Sequence, residues 1–298
     1  MIAIGLISPL LMSAQEIFRT VEALKVESVS APDQRTAALS ADGRQLFLTS
    51  LTGKGLKRID LSTGSISNIT EADGAGIEPS VSADGQRILH RSVRYDEDHM
   101  RRTSLIFVQD SREELLIKDA RELGGYRLTP ETAIAEADGR RQARSISPAP
   151  HLKETTTVST QDLQLSITIG GKTNILNPNG TGDEISYLWA SLSPDGQHIL
   201  YYVAEEGAYV CNLEGKDVQF IDFDLRAPQW YDNETIIGMN DQDDGETLLS
   251  SSIVAHTLSG DRQQLTAPGL CLMFPKCGNG RVACANPAGD VYLLNLKK

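Results

Sequence analysis

The chain has 298 residues, with 28 Lys and Arg against 40 Asp and Glu, a formal net charge of −12, 40% apolar and 23% charged residues. Such a composition excludes a disordered, collagen-like or multi-span membrane chain. The acidity argues against a general nucleic-acid binder, because phosphate binding needs a basic surface.

Residues 1–14, MIAIGLISPLLMSA, form an uncharged apolar run. The run is too short to span a bilayer. It reads as the apolar core of a secretory signal, ending at the small residues Ser13 and Ala14. The usual positive start is missing, and an N-terminal strand or helix buried in the fold is the alternative. Residues 15–298 read as one domain.

Internal repetition is the strongest signal beyond that point. LSADGRQLFLTS (39–50), VSADGQRILHRS (81–92) and LSPDGQHILYYV (192–203) nearly superpose. Each runs from an apolar position through Ser, a small residue and Asp-Gly into a β-rich segment. Asp can bond its own backbone and Gly accepts the positive φ that closes a tight turn, so each reads as a hairpin. A second strand pair follows each: LKRIDLSTGSISNIT (56–70), SLIFVQDSREELLIKD (104–119) and AYVCNLEGKDVQFIDF (208–223). Weaker copies are GYRLTPETAIAEAD (125–138), RAPQWYDNETIIGMN (226–240) and LCLMFPKCGNGRVACAN (270–286).

These corners define six units of four short strands, with an insertion at about 139–160 in the third. The strands counted after residue 30 fall one short of six complete units. A segment around Ala23–Val29 could supply the missing outer strand and join the chain ends. The pattern predicts an all-β, six-bladed propeller of four-stranded antiparallel blades, closed by that N-terminal strand. Seven blades with one eroded is the alternative. Closure would protect edge strands that otherwise invite aggregation. The cysteines Cys211, Cys271, Cys277 and Cys284 have no zinc spacing, and buried small side chains are the simplest reading.

The SxDG corner followed by a strand resembles the WD40-like (PD40) repeats of TolB-like propellers. LSPDGQHILYYV matches that pattern closely, the two SADG copies have Ala in place of Pro, and the other three match loosely. The resemblance implies a six-bladed propeller, usually exported in bacteria, often a binding platform of the cell envelope. It implies no single activity, since the fold hosts many.

Loops on a rigid scaffold are where a ligand site is expected. NDQDDGE (240–246) gathers Asp241, Asp243, Asp244 and Glu246, a set that suits a hard cation such as calcium, though a solvated acidic turn is the simpler reading. RYDEDHMRR (94–102) places His99 among carboxylates, as a metal ligand, a base or a plain surface residue. Arg140, Arg141 and Arg144, with His151 and Lys153, make a positive patch in the insertion that could take an acidic partner or pair internally. Trp189 and Trp230 fall in first strands of adjacent units, near the channel, to stack on a ligand or fill the core. No GxSxG, HExxH, Walker loop or dinucleotide fingerprint occurs. The expectation is therefore a non-catalytic scaffold, periplasmic or secreted, that binds a protein or peptide without spanning a membrane or binding nucleic acid. No cofactor is expected apart from the calcium idea. The alternative is a carbohydrate-active or metal-dependent, lyase-like enzyme using the channel.

Overall fold

The computed structural model describes residues 16–26, 29, 31–146, 156–182 and 184–298. The apolar run 1–14, with His151 and Lys153, lies outside them. The described chain forms 26 strands in seven antiparallel sheets. Blade 1 is β2 (Gln34–Leu39), β3 (Gln45–Ser50), β4 (Leu56–Asp60) and β5 (Ile66–Thr70). Blade 2 is β6 (Ser80–Val81), β7 (Arg87–Tyr95), β8 (Arg101–Gln109) and β9 (Arg112–Ala120). Blade 3 is β10 (Leu123–Leu128), β11 (Thr132–Ala137) and β12 (Arg140–Ser145); blade 4 is β13 (Thr156–Ser159), β14 (Ser166–Ile169) and β15 (Lys172–Ile175). Blade 5 is β16 (Tyr187–Leu192), β17 (His198–Val203), β18 (Gly207–Asn212) and β19 (Gln219–Asp222). Blade 6 is β20 (Leu225–Trp230), β21 (Thr235–Asp243), β22 (Leu248–Thr257) and β23 (Arg262–Gln264). Blade 7 is β24 (Met273–Gly278), β25 (Arg281–Ala285) and β26 (Val291–Lys297), with β1 (Thr20–Lys25) as its outermost strand.

The six-bladed expectation is thus wrong: the propeller has seven blades, two of them with three strands among the described residues. The error lies between residues 131 and 195. The stretch 139–160 carries β12, the third described strand of blade 3, and β13, the first of blade 4. GYRLTPETAIAEAD and LQLSITIGGKTNILN therefore belong to different blades. Blade 4 escaped because its first corner is no SxDG turn. β13 and β14 are joined instead through a single 3-10 turn at Gln161–Leu163, with Asp162 and Leu163 at φ 51° and 59°.

The ring closes through its N-terminal strand. β1 pairs antiparallel with β26 from Thr20 opposite Lys297 to Lys25 opposite Tyr292, so the strand begins before the expected Ala23. Just ahead of it, the Phe18 amide donates to Gln263 Oε1 at 2.7 Å, and Gln263 Nε2 donates to the Phe18 carbonyl at 3.0 Å. The N-terminal segment thereby ties blade 6 to blade 7.

The three matching corners are built identically. In each, the serine hydroxyl (Ser40, Ser82, Ser193) donates to the following aspartate at 2.5–2.6 Å. The same hydroxyl accepts the amide of the first return-strand residue (Gln45, Arg87, His198) at 2.9 Å. The glycines take φ of 68–72°, which a side chain would disfavour. These hydrogen bonds hold the Asp84 and Asp195 carboxyls below the usual carboxylate range, the serine contribution being largest.

Apolar side chains pack between blades rather than in one central core. Six clusters occupy six of the seven blade interfaces. Ile88 and Val108 of blade 2 meet Phe47 and Leu56 of blade 1; Leu200 and Tyr202 of blade 5 meet Ile236 and Val254 of blade 6. The alternation of in and out residues along each strand gives every blade two such faces. Among the described residues no such cluster joins blades 3 and 4. There Glu136 accepts from Thr157 Oγ1 at 2.8 Å and from Thr168 Oγ1 at 2.7 Å.

Candidate functional site

The inner strands leave a central cavity of about 790 Å³. Its lining includes the loops that lead into β6 and β10, the β3–β4 turn and the turn end of the β7–β8 hairpin. A cavity of this size lies in the range of ligand sites.

Bulges in the inner strands shape its wall. The pairing register shifts between Leu188 and Ser191 in β16, Arg226 and Gln229 in β20, and Met273 and Lys276 in β24. Just after the first residue of each shift stands a residue in the left-handed region: Trp189 (φ 52°), Ala227 (φ 47°) and Phe274 (φ 53°). Glu78, ahead of β6, has φ 50°. Positive φ is costly for a bulky side chain such as Trp or Phe, and bulges of this kind re-aim side chains beside functional sites. All four residues line the cavity.

The charged lining is mostly cationic. Arg35, Arg91, Arg101, Arg121 and Lys276 face Glu78, Glu122 and Asp162. Arg91 donates from Nε to the Tyr126 hydroxyl at 3.0 Å, lies 3.3 Å from Glu78 Oε2, and stacks over the Tyr126 ring at 5.3 Å. The Tyr126 hydroxyl in turn donates to the Glu78 carbonyl at 2.7 Å. Arg35 donates to the Leu51 carbonyl at 3.3 Å and covers the Phe274 ring at 5.0 Å. Burial lowers the Arg35 and Lys276 pKa values, with Glu78 opposing the shift in both cases. Burial also pushes the Cys277 thiol up to about 12, which leaves it protonated and unreactive.

Of the residues singled out from sequence, Trp189 reaches this wall, packing against Tyr202 with centroids 5.1 Å apart. Trp230 lies in the same blade-5/blade-6 packing, its indole Nε1 donating to the Ser191 carbonyl at 3.4 Å. Arg140, Arg141 and Arg144 are not on a loop: they stand on β12, the outer described strand of blade 3. Arg144 pairs with Glu114 and stacks over Phe107 at 5.2 Å.

The acidic run caps the long β21–β22 hairpin, and its carboxylates point to different partners. Asp241 accepts from Ser251 Oγ at 2.5 Å, and its pKa is raised, chiefly by burial. Asp243 lies 3.7 Å from Arg226, and Asp244 accepts the amides of Glu246 and Thr247 at 3.0 and 2.7 Å. Glu246 is exposed. Among the described residues no group of three or more His, Cys, Asp or Glu side chains could hold a metal.

The histidines are dispersed. His90 is wholly buried in β7, His99 sits at the β7–β8 tip, and His256 Nε2 lies 3.0 Å from Asp222, stapling blade 6 to blade 5. Hydrogen bonding to His256 is the main cause that draws the Asp222 carboxyl down to about 2. All four cysteines are free thiols.

Sequence reasoning looked to the loops and so missed Arg35, Glu78, Arg91, Tyr126, Phe274 and Lys276. A signal for Glu78 and Phe274 existed. Glu78-Pro79, Trp189-Ala190, Ala227-Pro228 and Phe274-Pro275 each begin six residues before a corner residue: Asp84, Asp195, Asn233 and Gly280.

This architecture defines a seven-bladed β-propeller with a cationic central channel. No protein-family model and no curated protein matches the chain. Solved propellers do resemble it. A streptogramin B lyase is 13% identical over 95% of this chain and 100% of its own, with TM-score 0.58. The β-propeller domain of Cps50 (Swd1) from Myceliophteria thermophila is 11% identical over 91% and 99%, with TM-score 0.56. A TolB-like structure from Agrobacterium tumefaciens, described as a putative TolB, is 16% identical over 93% and 98%, with TM-score 0.51. At identities this low, the likeness shows the fold alone. No helix among the described residues is long and apolar enough to cross a membrane.

Proposed function

We propose that the protein is a non-catalytic binding propeller of the bacterial cell envelope, TolB-like in its corner motif, which receives a protein or peptide segment at the channel mouth. The observation that carries this reading is the cavity of about 790 Å³, lined together by cations and aromatic rings. Arginine and aromatic side chains in such concave, partly desolvated walls are the usual anchors of binding energy. The apolar run at residues 1–14 supports export.

Recovery of partners from envelope extracts tests the reading. Arg101 and Arg121 are exposed at the mouth, so Arg101→Glu/Arg121→Glu should fold normally. The expected result is a discrete protein retained by the wild type and lost with the double variant. Identical recovery by both would remove the channel mouth as the contact.

A second reading, an enzyme working in the same channel, draws on Lys276. A lysine with a lowered pKa has the property a general base needs. Turnover of an anionic oligosaccharide that vanishes in Lys276→Met would favour it over simple binding.

A further inference from the structure

Inside the channel three cations share one carboxylate. Glu78 is already engaged by Arg91, and Arg91 is further held by the Tyr126 hydroxyl. Arg35 uses its Nε on a backbone carbonyl and its face on Phe274. The Lys276 ammonium makes no hydrogen bond or ion pair with any described residue, although it is close enough to feel the charges of Arg35 and Glu78. Two cations in a partly desolvated wall with no counter-charge of their own are costly. An anion seated between them would remove that cost and gain charge-assisted hydrogen bonds.

The surroundings define what carries the anion. Phe274 lies under Arg35, and Trp189 adds an apolar surface elsewhere in the lining. The cavity has far more room than a single carboxylate needs, and Arg101 and Arg121 continue the positive charge outward to the mouth. That succession of cations fits a chain with several carboxylates along it. A protein whose net charge is −12 would otherwise repel such a chain, so the local reversal of sign is what admits it.

We propose that Lys276 and Arg35 form a carboxylate-binding subsite for an acidic side chain of an extended peptide segment that enters the channel past Arg101 and Arg121. This deepens the binding reading above and rests on it. The same geometry makes the subsite a source of instability while it is empty, a familiar trade between stability and function.

Fluorescence anisotropy with a labelled Glu-rich decapeptide and its Gln-substituted counterpart tests the proposal, with sodium acetate and inorganic phosphate as competitors. The wild type should bind the acidic peptide about tenfold or more tightly than the Gln peptide, with affinity falling as salt rises. Lys276→Met should erase that preference, Lys276→Arg should keep it, and Arg35→Gln should weaken it independently. Thermal melts of Lys276→Met should show a midpoint equal to or above that of the wild type, which separates lost binding from lost folding. Equal binding of both peptides by the wild type, or an unchanged preference in Lys276→Met and Arg35→Gln, overturns the subsite and leaves the scaffold reading to the extract experiment. Phosphate or acetate binding without any peptide binding would mark a small-anion site and overturn the peptide assignment.

Discussion

Ring closure depends on Phe18, and Phe18→Ala measures how much. The side chain is 1% exposed and lies edge-on to Tyr231, with ring centroids 4.9 Å apart and planes at 79°. Around it stand Leu265, Leu272 and Leu296, from the ends of blades 6 and 7. Truncating a buried Phe removes its transfer free energy and leaves a cavity, together about 3–5 kcal/mol. The edge-to-face ring pair falls within that figure, as about 0.5–1.5 kcal/mol. Spread over a chain of this length, the loss lowers the melting midpoint by about 5–8 °C. Urea unfolding should show a lower midpoint with an unchanged slope, because the surface exposed on unfolding stays the same. Leu24→Ala serves as the control: it lies on β1 but is 47% exposed, and should change stability by no more than about 0.5 kcal/mol. A Phe18→Ala cost below about 1 kcal/mol would show that the β1–β26 pairing closes the ring without this anchor, against the packing argument.

Two further expectations concern stability. Burial lowers the His90 pKa below the imidazole's ordinary 6.5, and its Nε2 has no hydrogen-bond partner among the described residues. The unfolded chain then binds the proton first, so stability is complete above 6.5 and falls as pH drops through the folded-state value. His90→Phe should flatten that acid limb; an identical pH profile for both proteins would count against the buried imidazole as its source. At the seam between blades 3 and 4, Glu136→Ala would leave the buried Thr157 hydroxyl without its acceptor and Thr168 with the Thr173 hydroxyl alone, at a cost of about 1–3 kcal/mol. Hydrogen exchange should then speed up first at β13 and β14; uniform exchange across all blades would refute the seam as the weak interface.

Much of the fold was readable because its signals are local. The Ser-x-Asp-Gly corners of blades 1, 2 and 5 encode their hydrogen bonds within six residues, and each corner forms as its composition requires. Periodic strands beyond them made the propeller class and the terminal closure legible as well. Blade number was not local. It depended on whether residues 139–160 were a loop or two strands, and only pairing of Arg140–Ser145 with β11 and of Thr156–Ser159 with β14 decided it. Blade 4 shows the limit plainly: with Asp162 and Leu163 turning its first corner, it carries no motif to count.

The channel was legible least of all. Arg35, Glu78, Arg91 and Lys276 are scattered along the chain and meet only because seven sheets stand around one axis, with their first strands innermost. The linear order was enough for the Ser-x-Asp-Gly corners, the strands beside them and the need to close, because it carries short-range hydrogen-bond chemistry and side-chain alternation. The tertiary structure decided how many blades fill the circle and which charges face each other across it. Packing between blades and long-range electrostatics act between residues that the linear order keeps apart.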